Sequence, residues 1–335
     1  MRNLVTLILC FLPALSSAQD WEDRQFFGTT SPTQTLRVLS STDTALFEPI
    51  IDHFLQSNRD IAVEYLVAST ADIDAAFRAT PERFDVVISS AMDLQFKLVN
   101  DGYAIEIEDL PAPDWAQWRQ SLFAFTAEPA AIILNRNAFR GHPIPRTRQE
   151  LIQAMRARPD IFENRLGTYD VRQSALGYLF ATQDARASET YWRLMEVMGS
   201  LGLRLYCCSG DMIDDLTRGD LVVAYNVLGS YAAARTENAN VLEIILPSEF
   251  PTTMMRTAFV AAQTDKPETA ASFTRFLVEM QQANSDHASF PLPPLNPAEN
   301  VDNQSTIALG PALMTYLDTL KKRTFLQEWE NAVLQ

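Results

Sequence analysis

Asp85-Val-Val-Ile-Ser-Ser-Ala-Met-Asp-Leu-Gln-Phe-Lys-Leu-Val-Asn100 runs from a short apolar strand, through a polar turn, into a helical pattern. The same order of strand, polar turn and helix recurs on both sides of it. Leu36–Leu39 leads to Ser40-Ser41-Thr42-Asp43, and Ile61–Val67 leads to Ser69-Thr70. Arg165-Leu166 leads to Gly167-Thr168-Tyr169-Asp170. Strands that alternate with helices predict a parallel sheet covered on both faces, and so an α/β fold. In such sheets ligands bind beyond the carboxyl ends of the strands, over helix N-termini. Hydroxyls and backbone N–H groups collected there suit a small anion.

The alternation extends along the chain. Ala45–Ser57 places Leu46, Phe47, Ile50, Ile51, Phe54 and Leu55 on one helical stripe. Phe123–Asn135 is a long extended run, broken by Glu128-Pro129, that can cross between two lobes. Thr147-Arg-Gln-Glu150 is a capping box that opens a helix. Helices from Ser174 and from Ser188 to Met198 follow. Leu203–Tyr206 and Leu221–Tyr225 then read as strands around a short helix, Met212–Arg218. Val241–Leu246 and Arg256–Ala262 are the last strands. Pro267 opens a helix to Gln282, and Pro311 opens a final helix through Trp329. Residues 20–34 read as a loose arm, and Phe290–Pro297 as a proline-rich loop.

The first residues read as an export signal. Arg2 precedes an apolar stretch, Leu4–Leu15, and Ser16-Ser17-Ala18 suits cleavage before Gln19. Cys10 lacks the setting of a lipid-acceptor cysteine. The expected division is 1–18 signal, 19–131 first lobe, 132–248 second lobe, and 249–335 a return to the first lobe with C-terminal helices. The expected mature chain exceeds about 250–300 residues, where single cores stop growing.

The formal net charge of −15 excludes a nucleic-acid footprint and favours a soluble monomer. His53, His142 and His287 are scattered, so no metal centre or cofactor is expected. Cys207 and Cys208 are adjacent, and they are expected as two thiols, because a bridge between neighbours needs unusual geometry.

Four stretches carry a family resemblance: Ser89–Gln95 with Lys97–Tyr103, Gly167–Asp170, Tyr225–Tyr231, and Tyr316–Asp318 with Phe325–Trp329. Together they resemble the periplasmic solute-binding proteins grouped with ferric-iron transport components, closest to the phosphoglycerate transport regulatory branch. The resemblance implies a type II periplasmic binding protein fold, two βα lobes joined by a hinge around a ligand cleft. It also implies an ABC permease or a histidine-kinase sensor as partner. Ferric-ion binders of the wider group use neighbouring tyrosines, and no Tyr-Tyr pair occurs here. An organophosphate or carboxylate is therefore the expected solute, with ferric ion as the alternative.

The expected ligand-binding residues are Ser41, Thr42, Ser69, Thr70, Ser89, Ser90 and Asp93 on the first lobe. On the second they are Thr168, Tyr169, Asp170, Arg172, Ser174, Asn226 and Ser230. Each has a plainer reading: helix caps for the hydroxyls, a first-turn carboxylate for Asp93, a solvated surface side chain for Arg172. Tyr225 and Tyr231 read as ligand-stacking or as core, and Arg256 as reaching the cleft or forming a hinge ion pair. An exported hydrolase is the rival class, but no G-x-S-x-G elbow is present.

Overall fold

The computed structural model describes residues 21–235, 240–282, 292–295 and 306–334. The expected signal at 1–18 and half of the proline-rich loop lie outside these residues.

The strand–turn–helix units form as read. β2 (Gln34–Ser40), β3 (Ile61–Val67) and β4 (Val86–Ser89) pair in parallel, with α1 (Thr44–Ser57), α2 (Asp72–Ala79) and α3 (Met92–Asn100) between and after them. Residues expected as a loose arm instead supply β1 (Asp23–Gly28), an antiparallel edge on β3. Its sequence, Asp-Arg-Gln-Phe-Phe-Gly, carries little alternation, so main-chain pairing with β3 makes the strand. Arg24 and Arg37 flank the buried Glu64 of β3, which makes a charged side chain tolerable at this edge.

β6 (Leu122–Asn135), which begins beside the short antiparallel β5 (Gln117–Trp118), decides the architecture. Its first half pairs with β11 (Thr253–Val260), which in turn pairs with β4. Its second half pairs with β9 (Val223–Leu228) and β10 (Leu242–Ile245). One strand therefore belongs to two lobes, and the sheet order is β1-β3-β2-β4-β11-β6-β9-β7-β8. β7 (Leu166–Tyr169) and β8 (Arg204–Tyr206) complete the second lobe in parallel with β9. Its helices are α4 (Arg148–Ala157), α5 (Pro159–Phe162), α6 (Ala175–Ala187), α7 (Thr190–Ser200), α8 (Ser209–Arg218) and α9 (Gly229–Ala234). Thr147 caps α4 by accepting from the Glu150 N–H, as the capping box requires. Gly219, with φ of 84°, ends α8 in the left-handed conformation. α10 (Pro267–Gln282) returns to the first lobe.

The C-terminal segment differs from expectation in two ways. It is divided into a 3-10 stretch, Pro311–Leu317, and an α-helix, Thr319–Val333, whose start Asp318 caps. That helix does not return to the first lobe: Phe325 and Trp329 pack with Leu194 and Met195 of α7 in the second. The chain thus passes between the lobes a third time.

The core lies in three clusters. Phe47, Phe54 and Phe273 pack α1 and α10 on one face of the first lobe. Leu151, Leu194 and Trp329 pack α4, α7 and the C-terminal helix on the second. The third cluster, with Phe77, Phe96, Leu179 and Ile213, underlies the helices that face the cleft. Among the described residues no helix is long and apolar enough to cross a membrane.

The two crossing strands are joined by an ion pair without solvent contact. Arg256 of β11 donates through Nε to Glu128 Oε1 of β6 at 2.9 Å and through Nη2 to Oε2 at 3.1 Å. Both side chains are fully buried. Arg256 Nη1 also donates to Thr42 Oγ1 of the first lobe, and Ser230 of the second donates to Glu128 Oε2. Arg256 is therefore the hinge ion pair, the second of its two expected roles.

Candidate functional site

A cavity of about 260 Å³ lies between the lobes. That is slightly below the size of drug-binding pockets, ~300–1,000 Å³, and fits a small metabolite. Five helices of eight residues or more begin on it. Ser41 and Asp43 precede α1, Ser69 and Thr70 precede α2, and Ser90 precedes α3. Ser174 precedes α6, and Ser209 and Gly210 open α8. The first N–H groups of each helix have no partner within that helix, and the helix dipole makes its start positive.

Each side chain is positioned locally. Ser41 Oγ accepts from the Ser90 N–H at 3.2 Å and donates to Ser89 Oγ at 3.4 Å, tying the first two walls together. Ser69 caps α2 by accepting from the Asp72 N–H at 3.2 Å. Ser174 caps α6 through the Gly177 N–H at 3.1 Å. Gly177 has no side chain because a Cβ there would stand 2.3 Å from the Cβ of Tyr169, so α6 starts hard against the end of β7. The Tyr169 hydroxyl shares a 2.5 Å hydrogen bond with Ser209 Oγ, which also accepts from the Leu228 N–H at 3.2 Å.

Thr70 reaches across the cleft. Its Oγ1 accepts from the N–H groups of Ala175 at 3.1 Å and Leu176 at 3.3 Å, so a first-lobe hydroxyl caps a second-lobe helix. Thr70→Val should cost the closed arrangement about 1 kcal/mol, the worth of a cap. That is roughly a fivefold fall in the ratio of closed to open molecules. X-ray scattering of the unliganded protein should show a larger radius of gyration; an unchanged radius would refute the role.

Of the expected residues, Ser41, Ser69, Thr70, Ser90, Tyr169 and Ser174 lie on the cavity wall. The others are engaged elsewhere. Thr42 is buried against Arg256, and Ser230 against Glu128. Ser89 turns inward and accepts from the Ala91 N–H at 3.1 Å. Thr168 donates to the Tyr225 carbonyl at 3.1 Å. Asp170 and Arg172 pair with each other at 2.8 Å, and Arg172 also reaches Glu330 and stacks over Trp329. Asp93 is buried at the start of α3, where its Oδ1 accepts from the Leu94 N–H at 2.9 Å.

Asn226 serves a buried network in the second lobe. Its Nδ2 donates to Asp184 Oδ2 at 2.9 Å, beside the Tyr225 hydroxyl at 2.7 Å. Arg148 and Thr252 complete the shell around Asp184, each at 3.0 Å from Oδ1. Asn226 has φ of 62°, at an irregularity in the β6–β9 register. Asn tolerates that left-handed backbone, and the side chain is thereby turned from the cleft toward Asp184. Tyr225 is core, while Tyr231 lines the cavity.

Sequence reading did not find the acidic wall. Among the described residues, Glu22, Asp43, Asp211 and Asp214 line the cavity, against one arginine, Arg235, which pairs with Asp214. Burial, then the nearby Asp43, Asp72 and Asp211, pushes the Glu22 carboxyl above its usual range. Burial also raises Asp43, while Arg256 and Arg235 pull it back. Tyr169 and Tyr231 have phenols held well above the usual range, chiefly by burial.

Cys207 and Cys208 are not two thiols: they are joined as a disulfide, and both line the cavity. Adjacency is what made a bridge look improbable, yet the turn between β8 and α8 accommodates it.

No family model matches the chain, and no curated protein matches it. Solved structures do. The substrate-binding protein of an ABC transporter from Agrobacterium tumefaciens is 29% identical, with a TM-score of 0.86 over 93% of this chain and 98% of that one. The periplasmic binding protein AfuA from Actinobacillus pleuropneumoniae, solved with fructose-6-phosphate bound, is 12% identical, with a TM-score of 0.69 over 90% of this chain and 99% of that one. Iron-bound HitA from Pseudomonas aeruginosa is 13% identical, with a TM-score of 0.59 over 89% of this chain and 99% of that one. The shared strand between lobes, the cleft above it and these full-length likenesses give one result: the chain has the α/β two-lobe fold of the periplasmic binding proteins.

Proposed function

We propose that the protein is an extracytoplasmic solute-binding protein of an ABC importer, and that its solute is a small polyhydroxylated anion, an organophosphate before a carboxylate. The observation that carries this reading is the meeting of five helix N-termini on one small, hydroxyl-lined cavity. The anionic end sits at the helix starts, among the hydroxyls of Ser41, Ser69, Ser90 and Ser174. The carboxylates of Glu22, Asp43 and Asp211 then accept hydrogen bonds from the hydroxyls of the same ligand. A bare phosphate would meet these carboxylates with nothing to offer them, so the hydroxyls set the specificity. The Agrobacterium neighbour, a substrate-binding protein of an ABC transporter, supports the importer; AfuA with its sugar phosphate supports the ligand class.

Ferric ion is the second reading, because the wall carries carboxylates and two tyrosines. Iron needs phenolates, and burial pushes both phenols away from ionisation. Tyr169 is moreover committed to Ser209.

Isothermal titration with 3-phosphoglycerate, fructose 6-phosphate, malate and ferric citrate tests both readings. A dissociation constant near 1 μM, about −8 kcal/mol, is expected for a phosphorylated compound. Heat from ferric citrate alone, or from none of the four, would overturn the assignment. Acidity sharpens the test. Glu22 and Asp43 already titrate above their ordinary values, and a bound anion raises them further, so binding takes up protons. Affinity should therefore rise as pH falls from neutrality toward the raised carboxyl range; affinity that falls instead would point to a cationic ligand.

A further inference from the structure

The helix starts on the cavity are held in different ways. α6 has Ser174 and, across the cleft, Thr70. α2 has Ser69. α8 follows Cys208, whose side chain makes no cap hydrogen bond. What precedes α8 is the ring closed by the Cys207–Cys208 disulfide. Cys207 is exposed and Cys208 half-buried, and both face the cavity.

We propose that the Cys207–Cys208 disulfide is a ligand-contacting and positioning element of the binding site, one that packs against the polyhydroxy anion and fixes the start of α8 on the cavity. The inference rests on the ligand reading above and deepens it.

Three further observations support it. The next residue, Ser209, ties the turn to Tyr169 at the end of β7 and to Leu228 before α9. A shift of this turn is therefore felt on three walls of the second lobe. Asp211, in the first turn of α8, stands 3.7 Å from Cys207 Sγ and lines the same cavity. The disulfide thus sits beside a carboxylate assigned to ligand hydroxyls. Finally, a disulfide is a soft, apolar surface among hydroxyls and carboxylates, suited to the carbon skeleton of the ligand rather than to its polar groups.

Cutting the ring should loosen the turn. With dithiothreitol, the Sγ–Sγ bond breaks and each sulfur gains one electron and one proton. The reagent loses two of each and closes to its cyclic disulfide. Two independently rotating thiols then replace one fixed ring.

The experiment compares the oxidised protein, the dithiothreitol-reduced protein and the Cys207→Ser/Cys208→Ser double variant. Titration with 3-phosphoglycerate and with fructose 6-phosphate should show affinity at least about tenfold weaker in the reduced and double-variant forms, or ~1.4 kcal/mol. The double variant should also be indifferent to dithiothreitol. Affinities equal within about twofold across all three forms would overturn the proposal. Should neither compound bind the oxidised protein, the ligand reading fails on its own, and amide hydrogen exchange decides the positioning role. Reduction should then speed exchange at residues 206–211 and at Leu228 and leave β2 and β3 unchanged; unchanged exchange at 206–211 would overturn it.

Discussion

Arg256→Ala should lower the unfolding free energy by about 3–5 kcal/mol, the cost of leaving one member of a buried ion pair unpaired. Glu128 would remain at zero exposure with only Thr126 and Ser230 donating to it. Thr42 would lose its partner at the same time. Low dielectric makes the loss larger than at the surface, where such pairs are worth ~0–1 kcal/mol. The pair's own net contribution is much smaller than the cost of breaking it, because burying two charges offsets most of their attraction. Arg256→Met combined with Glu128→Leu should therefore be less destabilised than Arg256→Ala alone, though it leaves three hydroxyls to find new partners at about 1 kcal/mol each. Urea unfolding of the two variants and the parent tests this. A double variant as unstable as Arg256→Ala, or more so, would refute the expectation. Because the pair ties β6, which both lobes use, to β11, its loss should also loosen the junction between the lobes.

The fold was legible because its grammar is local. An apolar run, a polar turn and an amphipathic stripe can each be read in a window of a dozen residues, and β2–α1, β3–α2 and β4–α3 all formed where that pattern stood. β1 was missed because an edge strand owes its form to β3 and not to its own alternation. The long run Phe123–Asn135 showed that something crosses, and the structure adds that both lobes use it as a strand. The site was only half legible. Sequence identifies which hydroxyls lie at strand ends, but not which way each one points. Ser89 and Ser90 are neighbours of the same type, and the backbone turns one inward to Ala91 and the other to the cavity. Asn226 and Arg172 looked like ligand groups because polar side chains near strand ends usually have no other employment. Here Asp184, in the last turn of α6, and Asp170, two residues before Arg172, claim them. The acidic wall had no local signature at all, since Glu22, Asp43, Asp211 and Asp214 come together only through the meeting of the edge strand with α1 and α8.

Asp93 gives the second large effect. Expected as a ligand group, it is instead a carboxyl almost without solvent, and burial raises it from 3.8 to about 7. Hydrogen bonding by the Leu94 N–H and the charge of Lys322 act against that rise, and Asp74 adds to it. Tyr178, on the facing α6, is itself pushed up by burial and then by Asp93. The raised value has a definite consequence for stability. Below the unfolded value both states hold the proton and there is no difference. Between that value and about pH 7 the native state holds more protons than the unfolded one, so stability falls as pH rises. By pH 8 the native protein carries a buried charge whose full cost is on the order of 2–4 kcal/mol. Asp93→Asn removes this titration but buries an amide with a new pair of N–H donors, at about 1–3 kcal/mol. The parent should therefore be the more stable of the two at pH 4 and the less stable at pH 8. Urea midpoints at both values test the crossing, and two parallel profiles would mean that Asp93 is not protonated in the native state. Asp93 lies where α3 packs against the Pro311–Leu317 segment and α6, the third passage of the chain between the lobes. A neutral carboxyl there lets the two lobes share an apolar contact that an ionised one would have to hydrate. This contact between the lobes should thus be firmest on the acidic side of neutrality.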